Sequence, residues 1–70
     1  MASRRTLDLK AEFENYKSEI YTMLIALGCT QEQAIAYIAD NEETIRSWLD
    51  PKRGRIINAQ MGARLLLRKA

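Results

Sequence analysis

The feature of this 70-residue chain that most constrains its fold is the regular spacing of apolar residues in its first 27 positions. Apolar side chains recur there at intervals of three or four, which places them on one face of a helix about five turns long: Leu9, Phe13, Tyr16, Ile20, Met23, Leu24 and Leu27. Thr6 is a suitable N-cap for this helix, and Gly28 follows where a left-handed residue would end it. The sequence therefore predicts a long amphipathic first helix.

A second, shorter helix is predicted directly after Gly28. Thr30 and Gln33 have the spacing of a capping box, in which each side chain accepts a hydrogen bond from the backbone N–H of the other residue. Beyond this cap, we expect one stripe of apolar side chains to be buried, formed by Ala34, Ile35 and Ile38. The helix is expected to end near residues 39–40.

Asn41 predicts the start of a third helix, because asparagine is a favoured N-cap and the helix dipole stabilises the carboxylates of Glu42 and Glu43 in the first turn. Pro51 disfavours a helical conformation of the residue before it, so the third helix is expected to end at Asp50. Its apolar side would be formed by Thr44, Ile45, Trp48 and Leu49.

The charges are distributed unevenly along the chain. Residues 1–50 hold five basic and nine acidic side chains, whereas residues 51–70 hold six basic and no acidic ones. This asymmetry is typical of a chain that binds a polyanion, although a solvated basic tail gives the same pattern.

From residue 56 onward, an alternation of apolar and polar residues is typical of a strand, but the composition favours a helix over 56–68. Gly62 is expected to weaken that helix by about 1 kcal/mol relative to alanine.

Several classes of function are disfavoured by the composition. The chain has one cysteine, Cys29, and no histidine, so it lacks the residues for an internal disulfide or a typical zinc site. No glycine-rich phosphate loop and no nucleophile–base pair is present. We therefore expect neither an enzyme nor a cofactor, metal or small-molecule substrate. No apolar run approaches the ~18 residues that span a bilayer, so we expect no membrane partner and a cytoplasmic location.

Residues 30–49 resemble the helix-turn-helix of bacterial and phage DNA-binding proteins. The resemblance covers about 20 of 70 residues and rests on two small residues, a polar cap and a Thr-Ile pair followed by tryptophan: Ala34, Ala39, Asn41, Thr44, Ile45 and Trp48. It implies an all-α fold, a three- to four-helix bundle containing a helix-turn-helix. In such a pair the two helices would touch at Ala34, where nothing larger fits.

Three features indicate which kinds of helix-turn-helix protein the chain resembles. The long leading helix, the Gly-x-Thr entry and the Thr-Ile-x-x-Trp exit resemble phage small terminase subunits, and equally the N-terminal domains of transposases and small phage regulators. The implied function is recognition of duplex DNA without catalysis, either at a packaging site or in regulation or recombination. A phage-encoded chain would act in the cytoplasm of its bacterial host.

The resemblance also implies that one set of residues contacts the bases and another contacts the phosphates. The outer side of the third helix would face a DNA groove, where base contacts specify the sequence, through Asn41, Glu42, Glu43, Arg46 and Ser47. This helix is acidic, but glutamate can accept a hydrogen bond from cytosine N4. Basic flanks would contact phosphates: Arg4, Arg5, Lys52, Arg53, Arg55, Arg64, Arg68 and Lys69.

The expected organisation has three parts: a flexible basic terminus over 1–5, a three-helix helix-turn-helix domain over 6–50, and a basic loop with a C-terminal helix over 51–70. The triplet of leucines at 65–67 is too apolar to be fully solvated. It would pack on the first helix or form a dimer face, which would make the chain a homodimer or a higher homo-oligomer through residues 56–70.

A different function is suggested by residues 24–34, which resemble the start of a ubiquitin-associated domain through the pattern Leu-Gly-Cys-x-x-x-x-Ala. That family implies a helical protein–protein interaction module. The third helix arrives about three residues early for it, and Cys29 stands where the family has a large apolar residue.

Overall fold

The computed structural model describes residues 9–69, without the side chain of Lys69. It contains four helices and one short hairpin, which confirms the predicted predominance of α-structure. Thr6, Arg4 and Arg5 lie outside the described residues. In chain order the elements are α1 (Leu9–Ala26), α2 (Gln31–Asp40), α3 (Glu42–Ser47), β1 (Leu49–Asp50), β2 (Gly54–Arg55) and α4 (Ala59–Lys69).

Helix α1 ends as the sequence predicts. Gly28 has a φ of +107°, and its N–H donates to the carbonyl oxygen of Ile25 at 3.0 Å. The N–H of Cys29 donates to the carbonyl oxygen of Leu24, also at 3.0 Å. A left-handed glycine after the last turn allows this pair of hydrogen bonds, which satisfies carbonyl groups that have no partner within the helix.

The apolar face of α1 is buried in its middle but not at its ends. Phe13, Tyr16, Ile20 and Leu24 form the centre of the core, whereas Leu9 and Leu27 are 44% and 45% exposed. The predicted apolar face of the first helix is therefore covered in its middle and open to solvent at both ends. Helix α1 has 18 residues and the helices packed on it have 10 and 11, so its ends extend beyond their cover.

The capping box of α2 is confirmed by two hydrogen bonds. The N–H of Gln33 donates to Thr30 Oγ1 at 3.1 Å, and the N–H of Thr30 donates to Gln33 Oε1 at 2.9 Å. Ala34 is fully buried and Ile38 is half-buried, but Ile35 is 59% exposed. The predicted stripe is wrong for Ile35, because α2 packs with one side only and residue 35 lies about 100° around the helix from residue 34.

Asn41 is the only residue between α2 and α3; it is the N-cap residue of α3, but its side chain forms no hydrogen bond to that helix. Its Nδ2 donates instead to the carbonyl oxygen of Tyr37 at 2.8 Å, so the side chain closes the last turn of α2. The predicted start of α3 after Asn41 is therefore confirmed, but the side-chain hydrogen bond expected of an asparagine N-cap is not formed. Because the connection has a single residue, the side chain lies over the preceding helix.

Helix α3 ends at Ser47, three residues before the predicted end at Asp50. The chain then forms an antiparallel hairpin in which Leu49 pairs with Arg55 and Asp50 pairs with Gly54. Pro51 disfavours a helical conformation at Asp50, and Gly54 adopts the positive φ of +86° that the turn requires. The predicted basic loop over 52–55 is the turn and second strand of this hairpin.

Residues 59–69 are helical, which decides between the strand and helix alternatives for the end of the chain. Helix α4 begins at Ala59 rather than 56, because Asn58 caps it: the N–H of Met61 donates to Asn58 Oδ1 at 2.8 Å. The helix packs against α1. In the leucine triplet, Leu66 is fully buried in the core and the half-buried Leu67 packs against it, whereas Leu65 is half-buried outside that cluster.

Tyr16 joins α1 to the segment before α4. The side chain is fully buried, and its hydroxyl donates to the carbonyl oxygen of Ile57. The guanidinium of Arg55 lies 4.9 Å from the ring centroid. Burial raises the pKa of the Tyr16 hydroxyl, although the charge of Arg55 opposes this shift.

Replacing Tyr16 by phenylalanine is expected to lower the free energy of unfolding by about 1–2 kcal/mol, because the carbonyl of Ile57 loses its partner. A tyrosine whose pKa is raised by folding stabilises the protein below the pKa of the unfolded state, about 10, and this contribution is lost as the pH rises further. Denaturant titrations at several pH values should therefore show a steeper alkaline loss in the wild type than in Tyr16→Phe. Tyr21→Phe is the control, since the Tyr21 hydroxyl has no hydrogen bond within residues 9–69. Equal stability of the two variants would contradict the prediction.

Candidate nucleic-acid interface

The outer side of α3 is exposed to solvent. Glu42, Glu43, Arg46 and Ser47 all lie on it, while Ile45 on the opposite side is fully buried and anchors the helix to the core. Asn41 is half-buried at the end of α2. The structure therefore brings four of the five candidate groove residues together on one short exposed surface.

The acidic first turn of α3 is partly neutralised by a lysine from α1. Lys17 Nζ lies 2.9 Å from Glu42 Oε2 and 3.4 Å from Glu14 Oε2. Its hydrogen bond and charge hold the pKa of Glu42 below the usual value, and the hydrogen bond to Glu42 raises the pKa of Lys17. Sequence analysis missed Lys17, because 25 positions separate it from Glu42 and no local pattern connects them.

Arg46 and Lys17 both lie over the ring of Phe13. The guanidinium carbon of Arg46 is 4.5 Å from the ring centroid and Lys17 Nζ is 4.4 Å from it. A cation–π contact at an exposed site contributes about 0.5–1 kcal/mol, which is weak enough for a phosphate or base to displace Arg46. These residues border a groove of about 370 Å³ between α1 and α3, lined by Leu9, Lys10, Phe13, Glu14, Lys17, Glu42 and Arg46.

Ser47 and Glu43, the other two residues considered on the outer side of α3, differ in whether their side chains already have a hydrogen-bond partner. The hydroxyl of Ser47 donates to the carbonyl oxygen of Thr44 at 2.6 Å, so its proton is already used within the helix. The carboxylate of Glu43 forms neither a hydrogen bond nor an ion pair with any residue in the described part of the chain. An external partner would therefore find Glu43 free and would have to displace Arg46 from Phe13.

The tip of the hairpin presents two cations immediately after α3. Asp50 Oδ1 accepts hydrogen bonds from the N–H groups of Lys52 and Arg53, at 2.7 and 3.1 Å, which fixes the backbone of the turn. Both basic side chains are exposed, and neither forms an ion pair within residues 9–69. The hairpin therefore holds two solvated cations in place beside the end of α3.

Unlike Lys52 and Arg53, Arg55 forms an ion pair within the described part of the chain. Its guanidinium forms two hydrogen bonds to the carboxylate of Glu19, at 2.7 and 2.9 Å, and lowers the pKa of that carboxyl group. Arg55 thus ties the hairpin to α1. Arg64 and Arg68 lie exposed on α4 without an ion pair among the described residues, whereas only the backbone of Lys69 is described and Arg4 and Arg5 lie outside the structure's described range.

No protein-family model, curated protein or solved structure matches the chain. Within residues 9–69, the acidic side chains and the cysteine form no group of three that could hold a metal ion. None of the helices there is both long and apolar enough to cross a membrane.

Proposed function

We propose that this chain is a duplex DNA-binding module of the helix-turn-helix type, with α3 facing a groove and basic flanks on the phosphates. The observation that carries the proposal is the hairpin tip, which holds Lys52 and Arg53 exposed and without ion pairs in the described part of the chain, five and six residues after the end of α3. Phosphate contacts position such a protein on DNA, and base contacts specify the sequence. The module itself would carry out no reaction.

The geometry favours phosphate contacts over base contacts as the main source of affinity. Helix α3 has six residues, so it is about 9 Å long and only a few of its side chains can reach base edges. Its connection to α2 has one residue, shorter than the three or four of a standard helix-turn-helix turn. Most of the affinity would therefore come from phosphate contacts by the hairpin, Arg64 and Arg68, with Arg4, Arg5 and Lys69 as further contributors.

Two features reduce the repulsion between an acidic α3 and DNA. Lys17 neutralises Glu42, and the carboxylate of Asp50 is occupied by the backbone N–H groups of the turn. Glu43 remains as a free acceptor for a base donor such as cytosine N4. A recognition surface of this kind fits the resemblance to small terminase subunits and small phage regulators, which recognise viral DNA for packaging or regulation.

The salt dependence of DNA binding tests the proposal. Binding to a fluorescent mixed-sequence duplex is measured at ~50 and ~200 mM salt, and six phosphate contacts predict about a thousandfold loss in affinity. Arg53→Ala should weaken binding to all sequences alike and reduce the slope of log affinity against log salt by about 1. Arg53→Lys is the matched control, because it keeps a positive charge at the same exposed position of the hairpin.

Selection of bound sequences from a pool of random duplexes distinguishes base contacts from phosphate contacts. Arg46→Ala should relax sequence preference while leaving the salt slope nearly unchanged, because a base contact releases few counterions. The proposal fails if the wild type binds no duplex at low salt, or if Arg53→Ala and Arg53→Lys behave alike.

A second function, a helical protein–protein interaction module, is favoured by the exposure of large apolar side chains around the α1–α2 connection. Leu27 is 45% exposed just before Gly28, and Ile35 is 59% exposed on α2. Exposed apolar residues of this size are common features of binding surfaces when they cluster. Absence of duplex binding at low salt, together with loss of a protein partner in Ile35→Ala, would favour this function.

A further inference from the structure

The exposed side of α2 is acidic and partly apolar. Ile35 is 59% exposed, and the small residues Ala36 and Ala39 are exposed beside it. Glu32 and Asp40 flank these residues, and neither carboxylate forms an ion pair within the described part of the chain. We call this surface, formed by Glu32, Ile35, Ala36, Ala39 and Asp40, the acidic α2 face.

The exposed side of α4 has the opposite charge and a similar apolar centre. Met61 is 52% exposed, and Arg64 and Arg68 follow at the three- and four-residue spacing that keeps them on one side of the helix. Neither arginine has an ion-pair partner among residues 9–69. We call this surface, formed by Met61, Arg64 and Arg68, the basic α4 face.

The charges decide how two copies of this chain could pair. A symmetric contact through α4 would place Arg64 and Arg68 of one copy against the same residues of the other, and a symmetric contact through α2 would do the same with carboxylates. Like charges brought together at an interface cost several kcal/mol. Of the contacts that these two faces can make with each other or with themselves, only that of one acidic α2 face with one basic α4 face brings opposite charges together.

The side chains of the two faces also suit close packing. Ala36 and Ala39 allow another helix to approach at the short end of the usual 8–10 Å range of interaxial distances. Ile35 and Met61 would then be removed from water together, and the two carboxylates and two guanidiniums would lie at the rim, where they select the partner.

We propose that the chain self-associates head to tail, with the acidic α2 face of one copy on the basic α4 face of the next. A pair formed in this way keeps one free acidic face and one free basic face, so the contact does not stop at two copies. The proposal assigns the partner surface of the C-terminal helix. It does not depend on DNA binding, but Arg64 and Arg68 can contact phosphates only in a copy whose basic α4 face is free.

Sedimentation velocity without DNA tests this proposal on the full chain at low salt, from ~10 μM to ~1 mM. The wild type should exceed its monomer mass of 8.1 kDa increasingly with concentration. Two charge-reversed variants, Glu32→Lys/Asp40→Lys and Arg64→Glu/Arg68→Glu, should each show an association constant at least about tenfold lower, because each presents the same charge on both faces. Circular dichroism confirms that both variants remain helical.

The decisive measurement combines these variants. An equimolar mixture of the two should associate, because one now has two basic faces and the other two acidic ones. A chain carrying all four substitutions should associate with itself, because its charges are merely exchanged. The proposal is overturned if the wild type stays monomeric at ~1 mM, if either variant alone associates like the wild type, or if the mixture remains monomeric.

Discussion

Leu66→Ala is expected to lower the free energy of unfolding by about 2–5 kcal/mol. Leu66 is fully buried where α4 packs on α1, so alanine at this position leaves a cavity that the neighbouring helices can close only in part. A domain of this size has a total stability of about 3–5 kcal/mol, so much of the variant should be unfolded at room temperature. Thermal melting followed by circular dichroism should show a drop of at least about 10 °C, since 1 kcal/mol corresponds to about 4–8 °C in a small domain.

Met61→Ala is the matched control for this variant. Met61 lies on the same helix and is 52% exposed, so its truncation should change stability by no more than about 0.5 kcal/mol. If Leu66→Ala and Met61→Ala melted at the same temperature, α4 would not contribute to the core as described. A melt with two steps would indicate instead that α4 detaches before α1 to α3 unfold.

The parts of the fold that the sequence predicted correctly depend on interactions between near neighbours. The capping box joins Thr30 to Gln33, and the end of α1 depends on Gly28 and the residues up to four positions before it. Such signals lie within one turn of helix, so they can be read without knowledge of the tertiary structure. The hairpin also had a local signal, because Pro51 and Gly54 are typical turn residues; this signal predicts a loop, but not the two-residue strands on either side of it.

The contacts that shape the candidate site could not be predicted in this way. Lys17 and Glu42 are 25 positions apart, and Arg55 and Glu19 are 36 positions apart. Each pair forms only because α1 lies beside α3 and the hairpin. Asn41 shows the same limitation at short range: its type favours an N-cap, but the single-residue connection makes its side chain bond to Tyr37 in the preceding helix.

The sequence and the structure give opposite expectations for the effect of Gly62 on stability. In the sequence it weakens a helix, so any good helix former should stabilise the chain at this position. In the structure, a Cβ atom at residue 62 would lie 3.0 Å from Cζ3 of Trp48 and 3.5 Å from Cδ1 of Ile20. The absence of a side chain thus permits the indole to lie directly against α4.

Gly62→Leu is therefore expected to destabilise the domain by about 2 kcal/mol or more. Overpacking costs about 1–3 kcal/mol and occasionally more, and four added carbons place this site at the upper end. The gain in helix propensity, below about 1 kcal/mol, offsets only part of that cost. Gln60→Leu is the control, because residue 60 is exposed and its two side chains have similar propensities.

The clash with Trp48 can be isolated by a double-mutant cycle. Gly62→Leu should cost less in a Trp48→Ala background than in the wild type, because the indole that it displaces is gone. Trp48 is the only tryptophan in the chain, so a shift in the fluorescence of folded Gly62→Leu would report movement of this ring. A gain in stability with unchanged fluorescence would show that α4 has room beside Trp48, and helix propensity alone would then govern this position.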